Sequence, residues 1–529
     1  MAVLKNNQTQ LVFRNSRQTF ITGLDPLGLQ NTAISTYAHL VPGLTNLTNR
    51  IRYYGFYCWL LDYYARHIRD TNPKEQFAFI RKAELIMAII MKANLPEYTQ
   101  VTGAQFASEL IDSPPSDYYD IYNNAVQQGS NRTYWKAVSG ALGQYYIGAM
   151  NEMGLTLRND NGNFICTSEK HHNKINGLML ANAFRENISD RSHENYIAAI
   201  KSGKLPVDQL SELFEDFALN GIPQGTKERE LYCSLLLQED QPMLDVSEDE
   251  QIRFNRKIIL KNILQIIRDN DGVNGWQEIT RLIYTNKGYL NSQTNETLQL
   301  WYYYHVNELF HFGADSVFWG MMHMLDTKYH IVHLSHYIES FAAEILQFFT
   351  EEFQVSPDQQ LLDVIDLIAI NEKTIEKEIV ARLRRGDYKT TAGLGLALML
   401  SVYKNNNENG EALHILAETH GVVRDGNAYE LFKQIEYFKG NLSDFVKDLL
   451  LRNFIYRHQY VAFRKTGNGT QTTLKFVLEE NYIRHIESFA PKFTSPRLTA
   501  FLNVLNDLNL ITGDFKISSQ GLAFLNEHF

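Results

Sequence analysis

His305, Glu308 and His311 stand three apart in the run from Trp301 to His311, and Asp315 follows four later. At 3.6 residues per turn, Trp301, His305, Glu308, Phe312, Asp315 and Trp319 form one helical stripe. Two imidazoles and two carboxylates could bind a divalent metal. Di-iron bundles use Glu-x-x-His on two helices and a Glu from each of two more. Glu411-x-x-His414 and Glu169-x-x-His172 also match that short motif, whereas His-Glu-x-x-His is absent. The stripe reads first as a buried polar network or a partner-facing helix, because a buried polar group more often simply finds a hydrogen-bond partner.

A second set of residues points to phosphate chemistry. Arg452, Arg457, Arg464, Lys465 and Lys475 occur between 452 and 478 without an acid, interleaved with Phe454, Tyr456, Tyr460, Phe463 and Phe476. Basic groups neutralise phosphates and aromatic rings stack on bases, so this composition fits a nucleic-acid surface. Gly467-Asn468-Gly469 would let the backbone turn tightly there. An amphipathic helix with aromatics in the core and solvated cations has the same composition. Arg452-Asn453 and His458 are similar in spacing to the catalytic Arg–polar…His pattern of HEPN ribonucleases. That resemblance implies that Arg452 holds a scissile RNA phosphate while His458 moves a proton. On one helix, six steps place the two residues about 240° apart, off a common face.

Arg50, Arg52, Tyr53, Tyr54, Tyr57 and Trp59 form a third cluster that could grip a nucleotide by charge and stacking. It also reads as an aromatic core helix with its arginines paired to acids such as Asp62 or Glu84. Asp363, Asp366, Glu372 and Lys373 carry the residue types of a restriction-type nuclease, but not its order. No P-loop, dinucleotide fingerprint, GxSxG or kinase set occurs, and no cofactor is expected.

The elements that must position these residues are helical. The chain has 529 residues, of which 44% are hydrophobic and 21% charged, with only 12 prolines. Apolar steps of three and four mark helices at Thr45–Ile68, with Thr45 as N-cap, and at Phe77–Met91. Two segments look alike. Asn151-Glu152-Met153-Gly154-Leu155, a turn at 159–162 and Phe164–Ser168 match Asn506-Asp507-Leu508-Asn509-Leu510, a turn at Gly513-Asp514 and Phe515–Ser519. Each follows an amphipathic helix, 137–153 or 497–509. Each precedes a small one, Leu178–Phe184 or Leu522–Phe529. Ser495 and Pro496 read as cap and first helical residue of the second module. This order predicts winged-helix-like modules near 133–185 and 490–529. Their central helices are poor in basic residues, which points to protein or homodimer contacts rather than DNA reading.

The acidic run 239–250 reads as a linker and Lys404–Gly410 as an exposed loop. The expectation is therefore a mainly α, multidomain protein divided as 1–125, 126–237, 252–440 and 441–529. A net charge of −10 disfavours wrapping duplex DNA with the whole surface. Three scattered cysteines indicate neither a zinc site nor disulfides. No secretory signal or membrane helix is read, so the expected location is cytoplasmic.

Asp25-Pro26-Leu27-Gly28-Leu29-Gln30, then Leu40–Asn46 and Arg50–Phe56, resemble the opening of uncharacterised bacterial proteins in phage-defence gene neighbourhoods. The resemblance implies a cytoplasmic component of a multi-gene defence operon, with proteins of that operon as partners. With no convincing active site beside the basic–aromatic segment 452–478, the expected role is a non-enzymatic scaffold or sensor that binds partner proteins and nucleic acid there. A HEPN-like ribonuclease is the alternative.

Overall fold

The structure is a computed structural model that describes residues 19–20, 25–126, 133–171, 174–237, 256–291, 295–465 and 471–529. The ten N-terminal residues, His172, the acidic run 239–250 and Gly467-Asn468-Gly469 lie outside the described residues. The described chain is mainly α-helical, with strands of two to four residues. Among the described residues no helix is long and apolar enough to cross a membrane. The chain forms two compact units, each assembled from separated stretches: 1–37 with 280–494, and 38–279 with 495–529.

The first unit is built on two long helices, Glu296–Met324 and Tyr388–Thr419. Asn295 and Asp387 start them by accepting the N–H groups of Leu298 and Thr390. The two backbones meet at glycines. A Cβ on Gly395 would lie 2.6 Å from the Gly313 carbonyl oxygen, and one on Gly313 would lie 2.8 Å from that of Gly395. A mid-helix glycine costs about 0.5–1 kcal/mol relative to alanine; here it permits contact that no side chain would allow. The Leu334–Phe353 helix packs on the same partner and seats Phe348 against Gly393. A three-stranded antiparallel sheet places Tyr482–His485 between Ile331–His333 and Phe476–Glu479.

Lys404–Gly410, expected as a loop, is helical within Tyr388–Thr419. Tertiary bonds override its weak helix propensity. Buried Asn406 accepts from Tyr302 Oη at 2.6 Å and donates to Tyr284 Oη at 3.1 Å. Lys404 Nζ donates to the carbonyls of Asp366 and Ile368.

In the second unit the Arg52–Tyr63 helix is buried from Arg52 to Leu61. It packs on Gly177–Glu186, and its aromatics join Tyr146, Phe184, Tyr196 and Phe217. A π-helical turn, Tyr64–Ile68, continues it. Thr45 does not cap this helix; it closes a turn with Thr48. The Pro73–Asn94 helix begins with Asn72 as cap and proline in its first turn.

The two similar segments fold alike, bond for bond. After Ile147–Glu152 and Leu498–Asp507 the chain turns through a left-handed residue, Gly154 (φ 72°) in one and Asn509 (φ 54°) in the other. Leu155 N–H then bonds to Met150 O at 2.9 Å, and Leu510 N–H to Leu505 O at 2.8 Å. Hairpins follow: Thr156–Arg158 with Phe164–Cys166, and a bridge between Ile511 and Ile517. Thr167 Oγ1 accepts Gly177 N–H at 2.9 Å, and Ser518 Oγ accepts Gly521 N–H at 2.8 Å. Gly177 and Gly521 both press on the carbonyl of the matched leucine, Leu155 or Leu510, where no Cβ fits. The second helix starts at Leu498, after the Ser495-Pro496 pair expected to open it. Arg497 instead sends its guanidinium to the Ala38 and Val41 carbonyls.

Candidate nucleic-acid interface and buried polar networks

In the first unit, Leu442–Leu449, the π-helical Leu450–Tyr456 and Arg457–Lys465 run on continuously. One face carries Leu450, Phe454, Ile455, His458, Val461 and Ala462 into the core. The other carries Arg452, Tyr456, Tyr460, Phe463 and Arg464 outward. Phe463 is 78% exposed, Tyr460 57% and Tyr456 51%. Large apolar rings on a solvent face mark an interaction surface when they cluster. Arg464 lies over the Tyr460 ring at 5.6 Å, and Arg452 is held by Asp448 at 2.6 Å. This row of rings and guanidinium groups can stack bases and neutralise phosphates.

The other basic residues of the segment are engaged within the unit. Arg457 Nε donates to the Leu27 carbonyl at 2.7 Å, and Lys465 Nζ to the Asp25 carbonyl at 2.6 Å. Lys475 is buried and pairs with Glu487 at 2.6 Å. His458 is also buried: its Nδ1 donates to the Pro26 carbonyl at 2.9 Å, and its Nε2 accepts the Lys475 backbone N–H at 2.8 Å. That pairing makes it a neutral imidazole, and burial pulls its pKa down to about 4. Arg452 lies on the exposed face and His458 on the buried one, so the structure does not bring them together.

The stripe on Glu296–Met324 divides. Glu308, His311 and Asp315 lie together in the interior, with His311 Nε2 3.0 Å from Asp315 Oδ2 and Nδ1 4.0 Å from Glu308 Oε1. Glu308 Oε2 accepts Thr494 N–H at 2.6 Å, and Gln30 reaches His311 at 3.2 Å. Burial pushes Glu308 up to about 7. Burial alone would lower His311, but Asp315 and then Glu308 hold it up at about 9. Glu308, His311 and Asp315 thus form a buried, mutually coupled ionisable network. His305 faces elsewhere: it packs against Tyr284 with the rings tilted and lines a cavity of about 330 Å³ with Arg281, Glu372 and Lys373. His305 therefore does not join Glu308 and His311 in one ligand set.

In the second unit, Arg52, expected at a nucleotide-binding surface, is 1% exposed. It bonds to Glu228 Oε1 at 3.2 Å and to the Ala218 carbonyl at 2.6 Å. Arg50 pairs with Asp507 and lies over the Tyr98 ring. Tyr53, Tyr54, Tyr57 and Trp59 are core residues. Glu84 is sealed in the same core and accepts from Tyr57 Oη at 2.9 Å, Ala141 N at 3.0 Å, Leu142 N at 2.7 Å and Tyr134 Oη.

One grouping escaped the sequence reading. Among the described residues, Asp326, His330 and His485 are the metal-capable trio whose ligand atoms converge within 4.8 Å. The Asp-x-x-x-His spacing of the first two was legible; His485, 155 positions further on, is brought in by strand pairing alone. Compared with known protein families, curated proteins and solved structures, the chain matches none of them.

Proposed function

We propose that this chain is a non-enzymatic scaffold or sensor subunit that binds single-stranded nucleic acid along Arg452, Tyr456, Tyr460, Phe463 and Arg464. The observation that carries this reading is the solvent-facing row of three aromatic rings flanked by two arginines. Base stacking on such rings tolerates any sequence. An Arg452–His458 ribonuclease gains nothing from this geometry, because both ring nitrogens of His458 are occupied by backbone. The two matching helix–hairpin–helix segments support winged-helix-like modules that contact protein partners or a second copy of the chain. The N-terminal resemblance supports a place in a bacterial, cytoplasmic anti-phage complex with partners from the same operon.

The test is fluorescence anisotropy of labelled single-stranded RNA and DNA with the full chain at low and moderate salt. Expected is salt-sensitive binding that weakens at least about 30-fold in a Tyr460→Ala, Phe463→Ala double variant, at roughly 1–3 kcal/mol for each of the two lost stacks. Equal binding by the variant, or none by the wild type, removes the proposal. RNA shortened by the wild type but not by Arg452→Ala would instead restore the ribonuclease reading.

A further inference from the structure

We propose that Asp326, His330 and His485 bind one divalent late transition metal of the Zn²⁺ type. Asp326 Oδ1 lies 3.2 Å from His485 Nδ1 and 3.8 Å from His330 Nδ1. Around a tetrahedral ion with bonds of about 2.0–2.2 Å, neighbouring ligand atoms stand about 3.3–3.6 Å apart. Small side-chain rotations bring the three atoms to that spacing, because Asp326 and His330 are exposed.

The fold builds this convergence from two distant stretches. Asp326 sits in the π-helical turn Leu325–Tyr329, and His330 follows it directly. Ile331 pairs with Arg484 across the sheet, which puts His330 beside His485. The His485 N–H donates to the His330 carbonyl at 3.1 Å. His330 has φ 60° and ψ −47°, a conformation rarely adopted by residues with a side chain. Strain of this kind clusters at ligand clamps. Here it turns the imidazole back toward Asp326.

The outer sphere is also in place. His485 Nε2 lies 3.2 Å from Ser488 Oγ, which fixes the ring and leaves Nδ1 for the ion. Burial lowers the His485 pKa, against the pull of Asp326, with His330, Glu487 and His323 as the other titratable neighbours. Two imidazoles and one carboxylate suit Zn²⁺ or its late first-row neighbours; Mg²⁺ and Ca²⁺ prefer all-oxygen shells. Three protein ligands leave a fourth position toward solvent for water or a partner's side chain.

Chelator-stripped full chain is titrated with Zn²⁺ by calorimetry and with Co²⁺ by visible absorption. One equivalent should bind, with tetrahedral Co²⁺ bands. Asp326→Ala and His485→Ala should weaken binding at least about 100-fold, and Ser488→Ala about 10-fold. His330→Gly should lose the metal while the metal-free fold is at least as stable as wild type, since glycine relieves the positive φ. His333→Ala should change nothing, because that ring packs edge-on against Tyr482 and bonds to Ser335. Absence of binding by wild type, or undiminished binding by Asp326→Ala and His330→Gly, overturns the proposal.

Discussion

The His458 ring donates to the Pro26 carbonyl, a residue 432 positions earlier, while accepting the Lys475 N–H from the strand side. One imidazole thus fastens three separate stretches of the first unit, and Phe318 and Phe476 pack around it. Removing it would orphan a carbonyl and an amide in the interior. His458→Ala should cost about 2–4 kcal/mol in urea unfolding. That cost should shrink in acid. The folded pKa of about 4 lies below the unfolded value, so the contribution of the neutral ring is complete above pH ~6.5 and fades as pH falls toward 4. The wild-type advantage should drop by on the order of 3 kcal/mol across that window. An advantage that stays flat with pH would contradict the assignment.

Gly395 and Gly313 let the two long helices of the first unit touch backbone to backbone. Gly395→Ala should force them apart and lower stability by about 1–3 kcal/mol, despite the better helix propensity of alanine. Gly148 is the control, because a Cβ added there would meet nothing within 4 Å. Gly148→Ala should be neutral or stabilising. Thermal melts of both variants decide it; equal melting temperatures would show that the helices have room to spare.

Glu84 accepts four hydrogen bonds in the second unit, while burial pushes its pKa upward. Glu84→Ala should cost about 3–5 kcal/mol, because two tyrosine hydroxyls and two backbone amides lose their acceptor. Gly140→Ala should destabilise too. Gly140 has φ 69°, and a Cβ there would lie 2.5 Å from Glu84 Oε2. Denaturation of Glu84→Gln alongside should give a smaller loss, since one oxygen still accepts.

Helix existence and the likeness of the two helix–hairpin–helix segments were legible because they are local. Apolar steps mark Arg52–Tyr63 and Pro73–Asn94, and the match of Asn151–Leu155 to Asn506–Leu510 carries into identical bonds. What each charged residue faces was not local. Arg52 finds Glu228, Arg50 finds Asp507 and His458 finds Pro26, and none of these separations leaves a periodic trace. The same limit hid the helical state of Lys404–Gly410. Its polar residues looked like a loop until Tyr284 and Tyr302 supplied partners for Asn406. On the candidate interface, composition revealed the row of rings, but only packing separates outward Tyr460 and Phe463 from inward Phe454 and Phe476.

The interleaving of the two units sets an order on synthesis. The carbonyls of Pro26 and Leu27 find their partners only when His458 and Arg457 have been translated. At about 5–20 residues per second, the nascent segment waits on the order of tens of seconds with those groups bonded to water instead. During that interval the stretch from 38 onward emerges and begins its own core, which itself awaits Leu498–Asp507 and Ser519–His528. The codons from Arg457 onward therefore complete both units in quick succession. A ribosome that stops before them releases two unfinished cores, clients for a chaperone rather than a shorter working protein.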